Sequence, residues 1–149
     1  MILLNNGAKS ITLLDGDEEI LEIFVEEVDE VMVAIREAVG RLKADSEDIS
    51  SLEELRRAFH TLKGSGRLVG AMEIGEMGWS IENLLNKYIE KSHGLEFEDF
   101  TLLDLAQSRL PAMVEGFTAG TSSAVEITDI VRLAESQLSA LGIAVPVQD

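Results

Sequence analysis

LEELRRAFHTLKGSGRLVG, residues 52–70, sets Leu52, Leu55, Phe59 and Leu62 three or four positions apart, the spacing that lines one face of an α-helix. The stripe extends to Val69 if the helix continues through Gly64 and Gly66, and a break is expected near Gly70. Just upstream, ADSEDIS interrupts the periodicity, and Ser50 or Ser51 followed by Glu53 and Glu54 reads as an N-terminal capping signal. At about 100° per residue His60 falls well away from the centre of the stripe, so its ring is expected to reach solvent. A helix with one apolar face must bury that face, and the rest of the chain offers matching partners.

From residue 17 to about 44, Ile20, Phe24, Val28, Val31, Ile35, Val39 and Leu42 step by three or four, with Asp15 or Asp17 able to cap the helix they define. A third helix, residues 71 to 91, gathers Ile74, Met77, Ile81, Leu84, Leu85 and Tyr88, and KSHG ends it with Gly94 as a C-terminal cap. A fourth, residues 98 to 117, carries Leu102, Leu103, Leu110, Met113 and Val114, and Pro111 should kink or split it. TAGTSS then reads as a loop, and a fifth helix over residues 125 to 141 presents Ile127, Val131, Ala134, Leu138 and Leu141. Such helices bury their stripes side by side, so the expected fold is all-α, an antiparallel four-helix bundle with an additional C-terminal helix. The division that follows is a tail or linker over residues 1–14, the bundle over 15–120, and the last helix with a loose tail over 121–149.

At 149 residues without cysteine, the chain is long enough for one core without disulfides, and thiolate metal sites and cysteine nucleophiles are excluded. The net charge of −16 opposes phosphate backbones and anionic lipid, which argues against nucleic acid or a membrane surface as partner. The opening MILL is too short an apolar run for a signal peptide or a span, so a cytoplasmic location is expected; MILLNNGAKS reads as a linker as much as a native start.

Against that acidic background, Arg56, Arg57, Lys63 and Arg67 crowd around His60, four of the twelve cationic residues in the chain. Arg56, Lys63, Gly64 and Arg67 lie at helical offsets that return to the face of His60. Such a group suits an anion attached to the imidazole, because the cations can offset phosphoryl charge. Gly64 leaves a notch beside the ring, and a helical glycine costs about 1 kcal/mol relative to alanine, which asks for a reason such as close approach of a partner. An imidazole is nucleophilic at one nitrogen only if the other holds the proton, and a carboxylate accepting that N–H fixes the tautomer. Glu82, at the edge of the third helix's stripe, is the candidate for that carboxylate.

RRAFHTLKGSGRLVG followed by IGEMGWSIENLLN resembles the signature of histidine phosphotransfer (HPt) domains, with His60, Leu62, Lys63 and Gly64 forming its HxLKG core. The tract from residue 19 to 117 is similar to the HPt domains of chemotaxis-type histidine kinases, especially those of type IV pilus and twitching-motility systems. The resemblance implies that His60 is the phosphorylated residue, Lys63 its electrostatic companion, Gly64 the clearance position and Glu82 the hydrogen-bond partner of the imidazole. Arg56, Gly64, Ser65, Arg67 and Trp79 are the expected phosphoryl and partner-docking positions. Trp79 departs from the pattern, standing where some chemotaxis kinases carry a polar residue or a second histidine.

Nothing in the chain resembles an ATP-binding kinase domain or the acidic pocket of a receiver, so no stand-alone catalysis is expected. The resemblance implies a phosphoryl carrier working between a histidine kinase ATP-binding domain and a CheY-like response-regulator receiver domain, with no cofactor in this chain and Mg²⁺ supplied by the partner. A helical scaffolding module of the same fold without phosphotransfer is the alternative. A metal-dependent enzyme is more distant: Glu90 and His93 have ExxH spacing, but a second ExxH is missing, since Arg57 stands three residues before the other histidine.

Overall fold

The computed structural model describes residues 15–120 and 127–143. Five helices follow in order: α1 (Asp15–Ala44), α2 (Ile49–Val69), α3 (Met72–Glu90), α4 (Phe97–Thr118) and α5 (Thr128–Ala140). Consecutive members of α1 to α4 pack together and α4 returns to α1, closing a four-helix bundle; α5 lies against α3 and α4. Connections of a few residues between α1, α2, α3 and α4 leave neighbouring helices no choice but to run antiparallel. The expected all-α bundle with an extra C-terminal helix is the fold observed. The expected loose first dozen residues and C-terminal tail, and most of the TAGTSS loop, lie outside the described residues.

The apolar stripes meet in one core. Leu52, Leu55, Phe59 and Leu62 of α2 are fully buried with Val28, Ile35 and Leu42 of α1, Met77, Ile81 and Tyr88 of α3, and Leu102 and Leu110 of α4. Ile20 departs from its expected place, being 49% exposed. It lines a shallow apolar groove with Ile23, Phe24 and Leu68, because α2 ends alongside the first turns of α1 and nothing among the described residues covers them.

Three expected boundaries are corrected. Asp48, rather than Ser50 or Ser51, caps α2: its carboxylate accepts the Ser51 N–H at 3.2 Å and the Ser51 hydroxyl at 2.7 Å, while Ser51 is buried inside the first turn. Gly94 does not cap α3, which stops at Glu90 and turns through Ser92 at φ 50°. A Cβ on Gly94 would meet the Ser46 carbonyl at 2.9 Å, so this glycine serves the contact between the α3–α4 and α1–α2 loops. Pro111 does not split α4, which runs unbroken through it; Leu110 and Met113 on either side are held in the core, and Pro111 itself is exposed. The break expected near Gly70 is there, with Gly70 in the left-handed region at φ 85°, and Asp17 stands inside the first turn of α1.

Among the described residues, Gln137 and Arg109 make polar ties between α5 and the bundle. Gln137 is buried and donates to Asp99 at 3.2 Å and to the Tyr88 hydroxyl at 3.4 Å. Arg109 of α4 grips Asp129 through two hydrogen bonds, one of them 2.6 Å. Asp99 also accepts the Glu96 N–H at 2.7 Å at the start of α4, and burial pushes its carboxyl and the Tyr88 phenol upward in pKa.

Candidate functional site

His60 stands near the middle of α2 with 59% of its side chain exposed, while Phe59 before it is wholly buried. The ring is oriented from the neighbouring helix. His60 Nδ1 lies 2.7 Å from Glu82 Oε2, and the other carboxylate oxygen, Oε1, accepts from Lys63 Nζ, also at 2.7 Å. An ionised carboxylate can only accept, so Nδ1 carries the proton and the lone pair is left on Nε2. The Glu82 side chain is 9% exposed and that of Lys63 20% exposed. Lys63 therefore leans inward onto Glu82 instead of standing free beside the ring.

Burial alone would push the Glu82 carboxyl up; the hydrogen bonds from Lys63 and His60, and then their charge, outweigh it and hold the pKa below its ordinary 4.5. A carboxylate whose pKa falls on folding contributes stability above its unfolded value, and that contribution disappears as pH falls through the folded value. Urea unfolding at a series of pH values should therefore show the stability margin of the native chain over Glu82→Gln shrinking as pH drops below 4.5. A margin unchanged across that range would mean that the carboxylate charge contributes nothing to the pairing.

Gly64 is exposed, and a Cβ placed on it would meet nothing within 4 Å, so no packing inside the domain requires a glycine there. Arg56 is half-buried and Arg67 exposed, and neither these nor Arg57 forms an ion pair among the described residues. The Ser65 hydroxyl donates to Glu27 of α1. Trp79 is half-buried, one turn before Glu82 on α3. His93 lies in the α3–α4 loop, where its Nδ1–H donates to the Gly94 carbonyl at 2.6 Å. Among the described residues no cluster of three or more His, Cys, Asp or Glu could hold a metal ion, and no helix is long and apolar enough to cross a membrane.

Gly75 and Gly78, to which the apolar periodicity of α3 gives no role, have a structural part. A Cβ on Gly78 would fall 2.8 Å from Lys63 N and 2.9 Å from the Phe59 carbonyl oxygen, and one on Gly66 would fall 2.9 Å from Gly75 N. The backbones of α2 and α3 thus touch along this seam. The available signal is the spacing of Gly75, Gly78 and Glu82, which returns to one helical face.

Known proteins are similar to this chain in sequence. Chemotaxis protein CheA of Treponema pallidum (strain Nichols) is 26% identical over 127 residues, 85% of this chain and 16% of that protein. Chemotaxis protein CheA of Borreliella burgdorferi is 26% identical over 114 residues, 76% of this chain and 13% of that protein. The protein of the same name from Bacillus subtilis (strain 168) is 24% identical over 110 residues, 74% of this chain and 16% of that protein. The chain thus spans less than a fifth of the length of these curated relatives. No solved structure gives a significant match. The sequence model of the Hpt domain matches residues 19–120, and over that span the chain belongs to the Hpt domain family, the histidine phosphotransfer modules of two-component systems.

Proposed function

We propose that His60 Nε2 is the phosphoryl acceptor, and that the domain carries the group between a histidine kinase ATP-binding domain and the aspartate of a CheY-like receiver. The observation that carries this reading is the pinning of Nδ1–H by a buried carboxylate on a ring whose side chain is mostly exposed, with the open position of Gly64 one helical turn away. In the transfer, the Nε2 lone pair forms the N–P bond as the P–O bond to the donor oxygen breaks, and that oxygen keeps the electron pair. The ring becomes cationic with its Nδ1 proton in place, and Glu82 meets the new charge. Lys63, with two further ammonium hydrogens, and Arg56 and Arg67 on the same face offset the phosphoryl oxygens. Mg²⁺ bound by the partner would balance charge on the transferring group.

Residues 15–120 are the transfer bundle in this reading, and Ser65 and Trp79 border the surface the partner covers. The likeness of RRAFHTLKGSGRLVG to chemotaxis-type kinases of type IV pilus and twitching-motility systems supports placing the domain in such a kinase, in the cytoplasm. The test is incubation of the chain with a competent kinase or a phosphorylated receiver. A phosphoryl adduct that survives alkali and is lost in acid is expected. Absence of label from every donor, with partner binding intact, would replace this reading with a scaffolding one.

A further inference from the structure

The site carries two kinds of glycine. Gly64 borders open space, whereas Gly78 faces backbone: its missing Cβ would crowd Lys63 N, the Phe59 carbonyl oxygen and Lys63 Cα, the last at 3.1 Å. None of those atoms can swing aside as a flexible side chain would. Phe59 and Lys63 are the two ends of the helical turn that contains His60, so Gly78 leans directly on the peptide segment bearing the ring. Four residues further along α3, on the same face, stands Glu82. Both of its oxygens are engaged across the helix interface, each at 2.7 Å, by groups on that same turn of α2. Both contacts cross the same interface, so the distance between the two helices bears on whether Glu82 can hold both partners.

Resting on the reading of His60 as acceptor, we propose that Gly78 is a positioning residue for that histidine: it sets the α2–α3 separation at which Glu82 holds His60 Nδ1–H and Lys63 Nζ together. Ordinary van der Waals contact for a Cβ lies at 3.4–4 Å, so alanine at this position requires the helices to part by about half an ångström or more. The bridge then loses one arm, and the His60 ring is freed to exchange its proton between nitrogens. Gly66 belongs to the same seam but contacts Ala71 and Gly75, away from the carboxylate. Alanine there crowds the end of the seam nearer the α2–α3 turn, so its strain falls farther from the turn of α2 that bears His60.

The experiment uses the full chain as Gly78→Ala, Gly66→Ala and Glu82→Asp. The ring nitrogens of His60 are read by long-range nitrogen–proton NMR, and label from a phosphorylated receiver is followed in parallel. In folded Gly78→Ala the Nε2–H tautomer should rise to a population comparable with Nδ1–H, and the initial rate of labelling should fall by on the order of tenfold to a hundredfold. Gly66→Ala should melt lower yet keep the native tautomer. Glu82→Asp shortens the reach with the helix seam untouched, and should reproduce the tautomer change even where Gly78→Ala does not fold. A native tautomer in folded Gly78→Ala, or an aspartate at position 82 that keeps Nδ1–H in place, overturns the inference. A native chain that shows the expected tautomer but takes no label overturns the reading of His60 instead, and the inference with it.

Discussion

His60→Gln should reduce phosphoryl incorporation to background while moving the thermal midpoint by no more than a degree or two, roughly the span of an exposed substitution worth about 0.5 kcal/mol. The ring is mostly outside the core, so its loss opens no cavity. Glutamine keeps a donor at position 60, and Lys63 remains on Glu82, so the buried carboxylate is not orphaned. The function should nonetheless vanish, because an amide has no nucleophilic lone pair to form the N–P bond. His93 is the one other histidine in the sequence. His93→Gln should accept label as the native chain does, and a result in which His60→Gln retains label and His93→Gln loses it would move the acceptor to the α3–α4 loop.

Phe59→Ala should do the reverse, with a loss of about 3–5 kcal/mol in folding stability and a midpoint lowered by on the order of 10 °C. Phe59 is 0% exposed and belongs to the one core that α1, α2, α3 and α4 share, so its ring cannot be removed without leaving a cavity between helices. Its carbonyl also faces Gly78, which limits how far α2 can collapse into the space. Urea unfolding measures the change. A loss below about 1 kcal/mol would mean that the neighbouring helices close over the site. Folded molecules of this variant, at low temperature, should still carry label on His60. Adjacent residues on one helix thus separate cleanly into fold and chemistry, because a step of about 100° takes the side chain from core to solvent.

That separation is legible in the order of residues alone. The periodicities of α1 to α5 follow from which residues are apolar, and they locate each helix to within a few residues. The boundaries are less legible, since capping depends on which side chain folds back: Asp48 and the serines after it are all competent caps, and geometry selects Asp48. Pro111 shows the same limit. Local chemistry disfavours a helix there, but tertiary packing of Leu110 and Met113 carries α4 through it.

For the site, the sequence by itself determined that His60 faces solvent, that cations and an exposed glycine share its face, and that Glu82 is on the edge of an apolar stripe, because all of these are properties of single helices with a fixed 3.6-residue turn. Only the tertiary structure decided that Lys63 turns onto Glu82 instead of outward, that both carboxylate oxygens are used, and that Gly78 brings two backbones into contact beneath the histidine. Those facts concern the distance and rotation between α2 and α3. They are set by how the two surfaces interlock, which no periodicity along either chain segment specifies.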